Sequence, residues 1–302
     1  MEPGTNRLIV ILGPTASGKT DLAIKVAKLL GTEIISADSR QFYRELSIGT
    51  AKPTDGQLSE VKHHFISHIS ITEDYNISRF EHDALLVLEN LFNTHQTVVM
   101  TGGSGLYIDA VCNGLDDQPE HDPEIRKQLN AEFKSSGISY LQAELLRLDP
   151  AYYEVVDLSN PHRLMRALEV CMMTGKPYSS FRKGRQQQRS FKVVKLGIQI
   201  SREELISRIN RRVDQMIADG LIEEAKANFP YRNKNALNTV GYKEIFEYLD
   251  GHCTLEEAIE KIKINTRRYA KRQMTWFRRD PDIVWIKTEN LTDPEELIIA
   301  KL

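Results

Sequence analysis

The sequence predicts an α/β fold: a parallel sheet core, interrupted by a helical insertion domain and completed by C-terminal helices. Three observations predict it. A short apolar run, Leu8 to Leu12, leads into Gly13-Pro14-Thr15-Ala16-Ser17-Gly18-Lys19-Thr20, which matches G-x-x-x-x-G-K-[ST] in full, and an amphipathic run follows at once. Two further apolar runs, ending at Ser36 and Thr101, each give way to a polar turn bearing an acid or glycine. From about Asn113 the β-branched runs stop and helical periodicity takes over until Val193. Open parallel sheets gather ligands at the carboxyl ends of their strands, so the layout is that of a P-loop NTPase-like core.

Taken in order, the first element is strand, loop and helix. Gly13 and Gly18 let the loop curl so that backbone N–H groups point inward, and the helix start adds partial positive charge. Lys19 reaches an outer phosphate, and the Thr20 hydroxyl is placed to hold Mg²⁺. Leu22, Ala23, Val26, Ala27, Leu29 and Leu30 give the helix its apolar face. Glu33 to Ser36 is a second strand; it runs into Ala37-Asp38-Ser39-Arg40-Gln41, which sets an acid and a hydroxyl beside the phosphate loop. Ile48 to Pro53 is a loop punctuated by glycine and proline. Val61 to Ile71 holds a further short strand, in which the adjacent His63 and His64 point apart with no third ligand at metal spacing, so both are structural or substrate-facing. Ser78 is expected to cap a helix to about Asn93, with Phe80, Ala84, Leu85, Leu88 and Leu91 on one face. Thr97 to Thr101 is a buried strand ending in Gly102-Gly103-Ser104, residues that suit close approach of backbone to a ligand.

Residues 1–115 thus form the first part of the core. An acidic linker, Asp116 to Pro119, opens an insertion assigned to 116–192. Asp122 is its N-cap and Pro123 its first helical residue; Leu141, Leu145 and Leu148 form one face, Leu164, Leu168 and Met172 another. The core resumes with a strand from Val193 to Ile200, and residues 193–302 complete it. Arg202 to Asp219 is a helix turning Leu205, Ile209, Val213, Met216 and Ile217 inward, with Arg208, Arg211 and Arg212 clustered beside it and Gly220 at its end. Thr239-Val240-Gly241-Tyr242-Lys243-Glu244 opens another helix, and Leu255 to about Arg279 forms the last. There Tyr269, Trp276 and Phe277 interleave with Lys and Arg, a pattern that either stacks on exposed bases or anchors a core. Beyond Pro281 the pattern is uninformative.

The composition, 41% hydrophobic and 27% charged over 302 residues, is that of a soluble globular protein. MEPGTNR is no signal peptide, no apolar run is long enough for a membrane, and the scattered Cys112, Cys171 and Cys253 fit neither a disulfide framework nor a zinc cluster. A cytoplasmic monomer is expected. The net charge of −2 hides two basic stripes: nine Lys/Arg against Glu169 alone between Asn160 and Lys195, and eight with no acid between Lys261 and Arg279. That is the footprint of a phosphate backbone.

An ordinary nucleotide hydrolase of this architecture wants a second acid on an apolar strand to hold Mg²⁺. The strand Thr97 to Thr101 ends in Gly-Gly-Ser instead, no Asn-Lys-x-Asp guanine motif appears, and Asp38 is the only acid near the loop at a strand end. A P-loop small-molecule kinase could use Asp38 as its base, but a kinase lid explains neither the stripes nor the insertion. Phosphate-loop chemistry applied to nucleic acid explains both. GPTASGKT, ISADSRQFY, IGTAKP, VKHHFI, TGGSGLYI, NPHRLMRALEV, TVGYKE and YAKRQMTWFRRD occur in that order. In that ordered set the chain resembles the tRNA isopentenyltransferase family of bacterial type, the tRNA dimethylallyltransferases, over nearly its whole length.

The resemblance implies transfer of a dimethylallyl group from dimethylallyl diphosphate to the N6 amine of the adenine immediately 3′ of the anticodon in tRNA. Diphosphate leaves, no ATP is consumed, and the target base is flipped out of the anticodon stem-loop stack. Gly13, Pro14, Thr15, Ala16, Ser17, Gly18, Lys19 and Thr20, with Arg212 from the R-x-x-R-R-V-D-x-M run, would bind the diphosphate, Thr20 with Mg²⁺. Asp38 matches the general base, and Lys19, Thr20, Ser104 and Arg212 complete the catalytic set. Asp38, Ser39, Arg40, Gln41, Ser104, Arg126, His162, Arg163, Leu164, Met165, Arg166, Thr239, Val240, Gly241, Tyr242 and Lys243 match tRNA-contacting positions. Ser104 stands where the family usually has Thr, which keeps the hydroxyl; the C-terminal zinc-finger extension of eukaryotic relatives is lacking. The alternatives are an adenylate isopentenyltransferase acting on free AMP, ADP or ATP, which needs no extended cationic surface, the kinase, and a non-catalytic RNA-binding protein, which needs no intact Lys19, Thr20, Asp38 and Arg212.

Overall fold

The computed structural model describes residues 6–116, 119, 121–182 and 187–287. The chain begins with β1 (Arg7–Leu12), α1 (Lys19–Leu30), β2 (Ile34–Ser36), α2 (Asp55–Glu60), β3 (His63–His64), α3 (Ile77–Phe92), β4 (Thr97–Gly102) and α4 (Gly105–Asn113). Three helices follow, α5 (Pro123–Leu148), α6 (Pro150–Tyr153) and α7 (Pro161–Thr174). Then come β5 (Lys192–Gln199), α8 (Arg202–Ala218), α9 (Leu221–Asn228), α10 (Tyr242–Leu249), α11 (Leu255–Phe277) and β6 (Ile283–Lys287). The chain divides into two compact units, residues 114–187 and the remainder.

In the first unit the strands form one parallel sheet in the order β3-β2-β4-β1-β5-β6, the parallel α/β architecture that the sequence predicts. A parallel sheet must be covered on both faces, and β1 shows how. Leu8, Val10 and Leu12 enter an apolar cluster with Phe42, Phe80 and Leu88, whereas Ile9 and Ile11 meet Leu22, Ala23 and Val26 of α1 on the other face. Leu29, expected on that apolar stripe, is exposed.

Several local expectations change. Asn76, not Ser78, caps α3: its side chain accepts from the Arg79 N–H at 2.9 Å, and Ser78 already lies in the first turn. The strand expected within Val61–Ile71 is the histidine pair itself, alongside Ile34 and Ile35. His63 Nδ1 lies 2.8 Å from the Val61 carbonyl and His64 Nε2 lies 2.6 Å from Glu33 Oε2, so both rings serve the sheet edge. Residues 188–192, expected in the insertion, belong to the first unit: Arg189 donates to the Ala110 and Val111 carbonyls at 2.7 and 2.9 Å and to Glu81 at 2.6 Å. The edge strand β6, read as uninformative tail, pairs with β5 from Ile283 opposite Lys195.

The second unit packs α5, α6 and α7 around Leu129, Leu141, Leu145, Leu164 and Leu168. Asp122 caps α5 by accepting from the Glu124 and Ile125 N–H groups at 2.9 and 3.1 Å, with Pro123 in the first turn. Helical geometry breaks at Gly137, whose φ of 71° is one that a side chain would strain. Met172 is exposed rather than inward, because the buried stripe of α7 runs through Leu164, Leu168 and Cys171 and leaves Met172 beyond its edge. No helix among the described residues is long and apolar enough to cross a membrane.

Candidate active site

The carboxyl ends of β1, β4 and β2 lie at one edge of the sheet, with Leu12 beside Gly102 and Ser36 beside Thr101. The strands converge so tightly that a Cβ on Gly102 would sit 2.3 Å from the Ala37 carbonyl oxygen. This brings the Gly13–Thr20 loop, Asp38 and Ser104 to one place. Gly18, at φ 90°, turns the loop into α1. The Ser17 hydroxyl is buried without a hydrogen-bond partner among the described residues. The Lys19 ammonium curls back to the Pro14 carbonyl at 3.4 Å. Burial lowers its pKa to about 8, Arg212 adds to the lowering and Asp38 opposes it.

Helix α8 supplies the cations facing this loop. Arg212 Nη1 donates to Thr15 Oγ1 at 3.1 Å and Arg208 Nη1 to the Ser17 carbonyl at 3.4 Å. Burial lowers the Arg212 pKa, and the negative charges of Asp38 and Asp21 act against that shift. Helix α11 supplies a clip. Gln273 Oε1 accepts from the Thr15 N–H at 2.9 Å while its Nε2 donates to the Gly103 carbonyl at 2.8 Å, so one carboxamide spans the loop after β1 and the turn after β4. Asp38 Oδ1 accepts from the Arg40 N–H at 3.1 Å. The Ser104 hydroxyl accepts from the Ser39 N–H at 3.1 Å and bonds the Ser39 hydroxyl at 3.2 Å. Tyr269 lines the same cavity as Asp38; burial, and then the charge of Asp38, push its phenol up to about 12.

Two cavities flank Arg212. One, of about 600 Å³, is lined by Thr15, Asp38, Ser39, Arg40, Thr239, Val240, Gly241, Lys243, Tyr269 and Gln273. The other, of about 790 Å³, is lined by Lys52, Arg208 and Arg211 together with apolar Ile48, Leu58 and Ile66. Ala51, Arg212 and Met216 line both. Burial lowers the Lys52 pKa to about 8 against the attraction of Glu224 and Glu45, and its ammonium donates to the Tyr43 carbonyl. No group of three or more His, Cys, Asp or Glu among the described residues is placed to cage a metal ion.

Of the expected site residues in the first unit, Thr15, Asp38, Ser39, Arg40, Arg212, Thr239, Val240, Gly241 and Lys243 line one cavity, whereas the rest of the Gly13–Thr20 loop, Gln41, Ser104 and Tyr242 are not among its lining residues. Tyr242 is fully buried and donates to Glu224 Oε1 at 2.6 Å, so its side chain is withdrawn from any ligand. The Gln41 carboxamide is spent on the Thr50 and Ala51 carbonyls at 3.1 and 3.0 Å. In the second unit, His162 and Arg163 are exposed in the first turn of α7, while Leu164 and Met165 point into the core and cannot offer side chains to a partner. Arg126 and Arg166 meet at Glu169, the lone acid of the first basic stripe. That carboxylate is fully buried; it also accepts from the Asp122 N–H and faces His121 Nδ1, both at 2.9 Å. Burial alone would raise its pKa, but the hydrogen bonds from His121 and Arg126 carry it below the usual range.

The stripes are less continuous than the sequence suggests. Half-buried Arg189 and buried Lys195 are held in ion pairs with Glu81 and Asp280, and Lys183 and Arg185 lie outside the described residues. On α11, Lys261 pairs with Glu247, and Lys263 with Asp214 and Glu260. Its aromatics are largely anchors: Phe277 is buried, and Trp276 donates to Asp109 at 2.8 Å, whereas Tyr269 alone of the three lines the cavity. Gln273 and Lys52 went unassigned in the sequence. For Gln273 a signal exists, a polar residue at helical spacing between the inward Ala270 and Phe277.

Comparison with known proteins identifies the family. A family model described as IPP transferase matches residues 41–280. A Christiangramia forsetii protein called tRNA dimethylallyltransferase is 56% identical over 299 residues, covering 99% of both chains. A solved tRNA isopentenylpyrophosphate transferase of Bacillus halodurans is 36% identical with a TM-score of 0.72, over 98% of this chain and 96% of that one. A solved eukaryotic dimethylallyltransferase acting on tRNA is 26% identical with a TM-score of 0.82, over 98% of this chain and 78% of that one. With a family model over residues 41–280 and relatives alike over nearly the whole length, this chain belongs to the IPP transferase family.

Proposed function

We propose that the chain transfers a dimethylallyl group from dimethylallyl diphosphate to the N6 amine of the adenine 3′-adjacent to the anticodon of a tRNA, releasing diphosphate. The observation that carries this reading is the convergence of a carboxylate, Asp38, with Arg212 and Thr15 around one cavity, with Lys19 of the same loop within electrostatic reach of both charges. The relatives named tRNA dimethylallyltransferase, and the eukaryotic neighbour acting on tRNA, support tRNA as acceptor. The cavity lined by Asp38, Ser39 and Thr239 to Gly241 takes the flipped base. The second cavity, lined by apolar Ile48, Leu58 and Ile66 and by Lys52, Arg208 and Arg211, shares Arg212 with the first and suits the prenyl donor.

An exocyclic aromatic amine is a weak nucleophile. Asp38 orients it and accepts its proton as the new C–N bond forms. The allylic C–O bond breaks, and its electron pair leaves on diphosphate; Lys19, Arg212 and the loop amides stabilise that charge. Ser104, tied to Ser39, positions the target nucleotide. His162 and Arg163, with Arg126 and Arg166 set around Glu169, contact tRNA phosphates. Mg²⁺ fits the donor set present, because it keeps most of its water and needs little more than the Thr20 hydroxyl and substrate oxygens. It would add charge neutralisation at the diphosphate.

The test is one assay with Mg²⁺, labelled dimethylallyl diphosphate and either unmodified tRNA or AMP. Label is expected in tRNA. Label in AMP alone, or ATP turnover without label transfer, would overturn the reading. A pH dependence follows from Lys19 and Lys52. Both are cationic below about 8 and lose charge above it, so anion capture weakens as pH rises. Since kcat/KM reports the free enzyme, kcat/KM for the prenyl diphosphate is expected to fall as pH is taken from 8 to 10. A flat profile over that range would exclude these two lysines from donor binding.

A further inference from the structure

The IGTAKP and TVGYKE motifs have so far only lined cavities. The structure joins them through one side chain that belongs to neither. Glu224, on α9, accepts from three successive backbone N–H groups: Ser47 and Ile48 on Oε2 at 2.8 and 2.9 Å, and Gly49 on Oε1 at 2.9 Å. The Tyr242 hydroxyl donates to the same Oε1 at 2.6 Å. The Tyr242 ring in turn packs on Gly49 so closely that a Cβ there would stand 2.6 Å from it. The loop so held is the partition between the two cavities. Ser47, Ile48, Lys52 and Pro53 face the larger one, Gly49 and Thr50 face the one that contains Asp38, and Ala51 lines both. Three adjacent donors aimed at one carboxylate are a demanding arrangement, since only an acceptor with two oxygens satisfies them together with a phenol.

We propose that Glu224 is a positioning residue for the transfer reaction. By fixing the amides of 47–49 it sets where the partition stands, and so how the two substrates meet beside Arg212. This rests on the assignment of the two cavities to base and prenyl diphosphate. Reacting atoms must be held close to their productive geometry, and a displacement of about 1 Å can cost on the order of 10²-fold in rate.

Glu224→Gln is the informative variant. It keeps the shape, but in either orientation its NH₂ faces at least one of the three N–H donors, Gly49 in the less costly one, so the clamp is broken without a cavity being opened. The wild-type protein, Glu224→Gln and Glu223→Gln are compared in the labelled-donor assay at saturating tRNA and donor, at a temperature well below the melting point of each. Hydrogen exchange is followed in the same samples. In Glu224→Gln, kcat is expected to fall at least about tenfold, and the amides of 47–49 to exchange faster while those of β1 and β4 keep wild-type protection. In Glu223→Gln, which removes the same charge from an exposed neighbour on α9 paired with Lys226 and leaves the three amides held, kcat is expected within about threefold of wild type; an equal loss in both variants would overturn the proposal. Wild-type kcat in Glu224→Gln would overturn the proposal even if exchange quickens, since the clamp would then be merely structural. Unchanged exchange at 47–49 would overturn it as well. If the wild-type protein itself moves no label to tRNA, it is the functional assignment that fails.

Discussion

Replacing Asp38 with Asn is expected to lower kcat by roughly 10²- to 10⁴-fold, the usual contribution of a positioned general base, while tRNA affinity stays within a few-fold. The variant is close to isosteric. An Asn oxygen can still accept from the Arg40 N–H, so the turn after β2 should survive. What is lost is the ability to take the amine's proton, a deficit felt mainly in the transition state. Single-turnover transfer at saturating substrates, with tRNA binding measured beside it, separates the two effects. Turnover near the wild-type rate would remove Asp38 from the base role. The charge change has a second signature. Asp38 works against the burial that lowers the Lys19 pKa, so without it the alkaline limb of donor kcat/KM should move to lower pH.

Arg212→Gln is expected to cost on the order of 10²- to 10³-fold in kcat, the range for removing one donor from a developing oxyanion. Arg212 is the residue through which the Gly13–Thr20 loop, Asp38 and both cavities are connected: it bonds Thr15, feels Asp38 and lines both openings. Its own positive charge depresses the Lys19 pKa, so here the alkaline limb should move to higher pH, opposite to the Asp38 variant. The pair therefore tests the electrostatics of the site by sign as well as by size. Equal displacement in both variants would mean that the limb reports something other than Lys19.

The site was legible where chemistry is written in contiguous residues. The Gly13–Thr20 run, Asp38 after β2 and Ser104 after β4 each follow a strand, and the strand register brings them together. What could not be read was which residues the fold would use against one another. Gln273, Glu224 and Glu169 act across 258, 175 and 43 residues of chain, on Thr15, Gly49 and Arg126, and no local period encodes such partners. Charge counting misled for the same reason. Lys195 contributes to a stripe on paper, but in the fold it is buried against Asp280 at 2.6 Å. The edge strand β6 escaped because five residues give too little pattern to separate a strand from an extended tail.

The sheet order carries a consequence for how the protein is made. β1 is flanked by β4 on one side and by β5 on the other, and Arg7 lies beside Lys192. Half of the hydrogen-bonding edge of the central strand therefore waits for a partner that the ribosome adds only after residues 114–187, a contiguous segment with its own apolar core, have been synthesised. The second unit can fold as its residues emerge, in a local and early step, whereas the first cannot close until late in translation. For that interval the nascent chain carries an open, strongly apolar strand, Leu8 to Leu12, and the cell must keep it from pairing elsewhere.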